Sequence, residues 1–287
     1  MTHVRTAVGR VRRIPVPMRW TSAFVLAFAL LAVFGPMLIP YDSVAVNTAD
    51  RMLVPFSRTS DGTLVWFGTD QVGRDLVPQV LVGARVSLLV GVATVVPSLA
   101  IGALIGLVAG YRGGWLDTLT MRLADVQLAL PSFLVAILFA SALGPSVLNV
   151  VITLALTRWV VFARVVRSTT LSVRGREYVD AARLLGASPF RVMVRHVMPM
   201  TFTPLLVVAT VQFGLVVIAE ASLSFLGLGT PDTFPSWGLI ISEGRNHLAT
   251  AWWIATIPGL FLATVVVSLG MFGDQVRDAL DPHLRTE

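Results

Sequence analysis

Four histidines, His3, His196, His247 and His283, are the only imidazoles in this chain, and it has neither cysteine nor lysine. Those omissions set the available chemistry. Without thiols there are no disulfides, iron–sulfur clusters or thiolate zinc sites. Without lysine there is no GxxxxGK[ST] loop to reach the terminal phosphates of ATP, so the chain does not hydrolyse ATP by that route. No catalytic or metal-binding constellation is expected. The informative polar residues are of another kind. Asp125, Arg158 and Glu220 interrupt apolar stretches, and a charged run, EYVDAARLLGASPFRVMVRHVMP, occupies Glu177 to Pro199. A charge at the bilayer centre costs about 2.5–3.5 kcal/mol on insertion scales, so such residues should face protein or water. Arg158 lies about 9 Å by helical rise from Arg164, a long reach to a membrane surface, which points to a path for an anionic solute. Glu220 could meet a cationic group, cap a helix or pair with an arginine.

The elements that position these residues are membrane spans. Of the 287 residues, 55% are hydrophobic and only 13% charged, with a mean hydropathy of +0.78. A polytopic all-α membrane protein follows. All 22 basic residues are arginine, so the high isoelectric point reflects missing lysine and not a nucleic-acid-binding face. Stretches of about 20 apolar residues predict six transmembrane helices, near Trp20–Ile39, Ser87–Ala109, Leu119–Leu143, Val147–Ala163, Phe202–Leu223 and Ala251–Phe272. The first is read as a retained helix and not a cleaved leader, because it is long and ends in Gly-Pro-Met-Leu-Ile-Pro-Tyr. Gly102, Gly106 and Gly110 share one face of the second span, suited to close helix packing. Pro97 and Pro131 should kink their spans.

Arginine asymmetry orients the chain. Arg5, Arg10, Arg12, Arg13 and Arg19, then Arg112 and Arg122, the dense set Arg164 to Arg195, and Arg277 and Arg285 fall on one side. The positive-inside rule makes that side cytoplasmic, with both termini there. The expected organisation is a cytoplasmic tail 1–19, a six-helix domain 20–272 and a cytoplasmic tail 273–287. External segments occupy 41–79 and 224–250, and a cytoplasmic loop occupies 169–200.

Within that loop Val179, Ala182 and Leu185 recur at helical spacing, predicting a short amphipathic helix. Gly186 suits a turn with positive φ, and Ser188 and Pro189 suit the N-cap and first position of a second helix. A helix-turn-helix elbow results. On spacing alone it is equally a knob for a partner's groove or a hairpin on the anionic membrane surface.

Asp180, Ala181, Ala182, Gly186, His196, Met198 and Pro199 resemble the coupling motif of permease subunits of ATP-binding-cassette importers. Asp180 stands where glutamate is usual, His196 where isoleucine is, and Met198 where leucine is. Arg195-His196-x-x-Pro199 looks like the version found in peptide permeases. Phe67 to Asp70, Gly73 to Asp75, Gly83 to Leu88, Gly113 to Asp117, Ala163-Arg164-x-x-Arg167, Glu220 to Gly229, Pro235 to Gly238 and Asp274 to Pro282 are similar to the C-type permease of the dipeptide, oligopeptide and nickel importers.

The resemblance implies a type I importer permease that moves peptides across the bacterial inner membrane and is not itself an enzyme. Its implied partners are a homologous B-type permease, two ATP-binding subunits that hold ATP and Mg, and an external substrate-binding protein. It assigns Glu177, Asp180, Ala181, Ala182, Gly186, Ser188, Pro189, Arg195, His196 and Pro199 to coupling with the ATPases. Arg158, Glu220 and Trp237 are candidates for the translocation path or gate. Nickel chelates and other small solutes are the alternative cargo. A proton-coupled secondary transporter would need internal repeats and acid or histidine relays in the spans; no clear repeat and no histidine in a span is evident, and only Asp125 and Glu220 are candidate acids.

Overall fold

The computed structural model describes residues 18–280. The terminal arginines at 5, 10, 12, 13 and 285, His3, His283 and the end of the Asp274–Pro282 block lie outside them.

Five helices are long and apolar enough to cross a membrane, and a bent pair counts as a sixth when taken as one span. α1 is Met18–Leu38, α2 Leu76–Arg112, α3 Gly114–Ala129, α4 Ser132–Leu143 and α5 Val147–Arg174. α6 (Glu177–Leu184) and α7 (Pro189–Val192) form the elbow. α8 is Met198–Phe225, α9 Trp237–Gly244 and α10 Trp253–Leu280. Two short antiparallel strands, β1 (Ser57–Arg58) and β2 (Leu64–Val65), decorate the segment between α1 and α2.

The expected third span, Leu119–Leu143, is corrected by the structure. It is two helices, α3 and α4, meeting at 86°. Pro131 is the cause. It sits between them with no N–H to continue the ladder, and Leu130 before it is extended at ψ 138. Pro97, by contrast, lies within an uninterrupted α2.

Other boundaries move outward. α2 starts at Leu76, where the Asp75 carboxylate accepts from Val77 N at 2.9 Å and caps it. α5 runs on past Ala163 to Arg174, because its arginines find partners within the chain. Arg167 makes a two-pronged ion pair with Asp117 of α3, and Arg164 Nη2 lies 2.5 Å from Asp125 Oδ1. Arg174 Nη1 donates to the Gly110 carbonyl at 2.7 Å.

α2 and α5 form the most extensive helix pair. The glycines explain why. A Cβ on Gly102 would lie 2.5 Å from the Trp159 carbonyl, one on Gly106 2.3 Å from the Ala163 carbonyl, and one on Gly110 2.9 Å from Thr170 Cβ. The small-residue face is therefore spent on packing within the subunit, where backbones approach too closely for any side chain. Val90, Val150, Leu154, Phe162 and Val166 fill the core around this seam. A second core, at the end of the bundle away from the elbow, gathers Phe28, Leu76, Trp237, Ile240, Trp253 and Ile254.

Candidate functional site

The elbow is built as its residues dictate. Glu177 and Asp180 lie in the first turn of α6, where acidic side chains suit the helix dipole. Gly186 has φ +82 and allows α6 to end in a tight turn, closed by Ala187 N donating to the Ala182 carbonyl at 3.1 Å. The Ser188 side chain accepts from Arg191 N, and Pro189 takes the first position of α7. Between α7 and α8, Met193–Val197 forms one π-helical turn. Pro199 has no N–H for the Arg195 carbonyl, and Met198 N donates to the Met193 carbonyl, five residues back, where an α-helical bond would end at Val194.

Three valines clamp this elbow to the bundle. Val179, Val192 and Val197 are wholly buried, in the same core as Val173 of α5. Arg183 pairs with Asp180 at 2.8 Å and lies over the Tyr111 ring, 5.8 Å from its centroid. His196 sits beside the Tyr178 ring, and its carbonyl accepts from the Tyr178 hydroxyl at 3.4 Å. Ala182 is half-buried, while Glu177, Ala181, Gly186, Ser188, Pro189, Arg195 and Pro199 are exposed.

One expectation about the elbow is corrected. Leu185 does not share the buried face with Val179, because α6 ends at Leu184 and Leu185 is its C-cap. Leu184 and Leu185 are 89% and 88% exposed, and Phe190 is 71% exposed. Helical spacing assigns Leu185 to the apolar stripe and gives no role to Leu184 or Phe190. Large apolar residues on both sides of the turn glycine, Leu184 and Leu185 before Gly186 and Phe190 after it, are the missed signal. The outcome is a rigid helix-turn-helix with an uncovered apolar tip.

The elements around Arg158, Glu220 and Trp237 lie elsewhere. Glu220 of α8 is fully buried, and its Oε1 accepts from Ser224 Oγ at 2.7 Å, with Ser236 also beside it. Trp237 is 1% exposed, and its Nε1 donates to the Val80 carbonyl at 3.0 Å. It packs between Phe28 and Phe261. Both residues therefore tie α9 into the bundle in this conformation. Arg158 is half-buried on α5, facing Gln212 of α8. Asp125 and Arg164 border a cavity of about 340 Å³ that Met121 and Arg167 complete.

The end opposite the elbow is organised by Asp70. Fully buried, it accepts from Val72 N, Arg74 N, Arg74 Nε and Gln79 Nε2 at 2.8–3.0 Å. Arg74 reaches on to the Tyr41 hydroxyl and the Ser43 carbonyl. Gly73 is required here, since a Cβ would lie 1.9 Å from the Asn47 carbonyl. Glu243 of α9 accepts from Gln71 at 3.2 Å, and burial pushes its carboxyl above the ordinary value of 4.5 despite that bond. Burial likewise raises the Asp75 carboxyl, against the Val77 N–H that favours its charged form. Among the described residues no group of three or more His, Asp or Glu could hold a metal ion.

The family described as binding-protein-dependent transport system inner membrane component matches residues 102–286, including α5, the elbow and α8. The dipeptide transport system permease protein DppC of Alkalihalophilus pseudofirmus is 38% identical over 262 residues, 91% of this chain and 84% of that protein. The di/tripeptide transport system permease protein DppC of Pseudomonas aeruginosa is 39% identical over 263 residues, 91% of this chain and 86% of that protein. A solved chain from an amino acid ABC transporter shares the fold at a TM-score of 0.56 and 15% identity, covering 71% of this chain and 94% of that one.

Proposed function

This chain belongs to the family of binding-protein-dependent transport inner membrane components, and we propose that it is one half of a peptide path whose elbow receives the ATP-driven stroke of partner chains. It is a permease subunit of an ABC importer and not an enzyme. Di- and oligopeptides are its cargo, in line with the dipeptide permeases it resembles. A homologous B-type permease completes the path, two ATP-binding subunits dock on the elbow, and an external protein delivers substrate to the Asp70 end. Both termini and the elbow lie in the cytoplasm, on the strength of the arginine asymmetry. No ATP or Mg site is assigned to this chain.

The observation that carries this reading is the elbow's construction. Leu184, Leu185 and Phe190 are presented to solvent by a turn that Val179, Val192 and Val197 hold rigidly to α5 and α8. A hairpin lying on lipid would need no such clamp, whereas a part that transmits force does. Closure of the ATPase pair would move the elbow, and the elbow would move the helices to which it is clamped. The path would then alternate between outward and inward openings.

Gly186 provides the test. No atom lies within 4 Å of a Cβ built there, so a substitution acts only through the φ of +82. Gly186→Val in the reconstituted importer should leave insertion and assembly intact and ATP hydrolysis running, while peptide uptake falls by about tenfold or more, as strain of about 1–3 kcal/mol reshapes the turn. Uptake at the wild-type rate would show that the elbow does not couple.

A further inference from the structure

The other arginines of α5 have close hydrogen-bond or ion-pair partners within the chain. Arg164 has Asp125, Arg167 has Asp117, and Arg174 has the carbonyls of Gly110 and Tyr111. Arg158, nearer the middle of the helix, is the exception. Its Nη1 donates only to Gln212 Oε1, at a long 3.5 Å, and its buried Nε has no hydrogen-bond partner among the described residues. No carboxylate in those residues pairs with it. Gln212 itself is only 6% exposed, so the contact lies in the seam between α5 and α8.

A half-buried guanidinium inside a span is retained where it faces a polar path or an anion. Lipid phosphates lie at the membrane surface, and Arg158 is about 9 Å along the helix even from Arg164, its nearest arginine towards the elbow. The remaining anions at that depth are a carboxylate of a second permease or one carried by the solute. The chain supplies its own partner for each arginine that serves to fasten α5. An arginine without a charged partner, steadied only by a long contact to a neutral amide, is suited to an anion that arrives and departs.

We propose that Arg158, steadied by Gln212, is a mid-membrane station for the carboxylate of a peptide in transit, a specificity-determining residue of the path; this rests on the peptide-permease reading. The Nε–H and Nη–H of a guanidinium form a fork that fits both oxygens of a carboxylate, and here Nε is buried in the α5–α8 seam, so the fork opens to a carboxylate when those two helices part during the transport cycle. Nε–H is the donor left unused in this conformation. An aspartate in place of Gln212 would fill the fork permanently and abolish capture. The long amide contact orients the group and is readily given up. The path thereby distinguishes a free carboxyl terminus from an amidated one, independently of the external receptor.

The test uses the complete importer in nanodiscs, without its external binding protein, so that the receptor's selectivity does not enter. Binding of radiolabelled dialanine and of dialanine amide is compared for the wild type, Arg158→Gln and Arg158→Lys. The wild type is expected to prefer the free acid by about 10- to 100-fold. Arg158→Gln should bind both ligands alike, at the wild-type affinity for the amide. Arg158→Lys, which keeps the charge without the fork, should retain part of the preference.

An unchanged preference in Arg158→Gln, or a wild type that does not discriminate, would overturn the proposal. So would failure of the two permeases to copurify in Arg158→Gln, with assembly restored in Arg158→Lys. That pattern would identify the partner of Arg158 as a carboxylate of the second permease. The underlying peptide reading is checked separately, by ATP-driven uptake of dialanine into wild-type proteoliposomes with the binding protein present. Its absence would overturn both readings.

Discussion

Adding one methyl group at Gly106 should separate α2 from α5. A Cβ there would lie 2.3 Å from the Ala163 carbonyl oxygen and 3.0 Å from both Ala163 C and Arg167 N. Carbon–oxygen contacts normally settle at about 3.3–3.6 Å, so the helices must part locally by about 1 Å. The atoms in the way are backbone, which no rotamer change can relieve. Gly214 of α8 is the matched control, since its nearest neighbours, Leu269 Cβ and the Val266 carbonyl, lie at 3.9 Å. Glycine to alanine in a helix gains up to about 1 kcal/mol of propensity at either site, so that contribution cancels in the comparison. Overpacking costs about 1–3 kcal/mol, and parting the seam also weakens dispersion contacts beside it. Gly106→Ala should therefore be about 2–3 kcal/mol less stable than Gly214→Ala. Thermal unfolding of both purified variants in one detergent, followed by tryptophan fluorescence, measures the difference. Equal stabilities within about 0.5 kcal/mol would refute the claim that close backbone contact builds this seam.

Two further predictions concern charge. Asp117→Ala should cost about 1.5–3 kcal/mol by removing both prongs of the Arg167 pair, whereas Asp125→Ala should cost less than about 1 kcal/mol because that pair is exposed to solvent; unfolding of the two variants side by side would show the ranking. Burial raises the Glu243 carboxyl, so the folded state binds a proton that the unfolded state has already released above its ordinary value of 4.5. Stability should fall as pH rises from that value through the raised one, and Glu243→Gln should flatten the slope; melting temperature against pH reads it directly.

The span count, the elbow and the small-residue face were legible because each rests on local pattern. Twenty apolar residues, a glycine after an amphipathic run and glycines four apart carry their geometry in their spacing. What remained hidden depended on partners far along the chain. Arg164 and Arg167 looked like the end of a span, yet Asp125 and Asp117 carry α5 beyond them. Trp237 is a gate candidate by resemblance alone, and its contacts with Val80, Phe28 and Phe261 depend on residues far along the chain. Leu185 fitted the apolar stripe of α6 until the helix ended one residue sooner. Pro131 pointed to a kink, but a proline alone does not give the angle, and here the span turns through 86°.

α2 is also the longest described helix, 37 residues, or about 55 Å of continuous rise. At one end its carbonyl at Gly110 holds Arg174, two residues before the elbow begins at Arg176. At the other, its Gln79 is fastened to buried Asp70. Along the half nearer the elbow the glycine seam packs it flush against α5. In mechanical terms the pair is a stiff strut with both ends pinned. If the elbow couples as proposed, a load applied there would reach the opposite end of the bundle through a single low-compliance member, so displacement at the two ends should be simultaneous and not sequential.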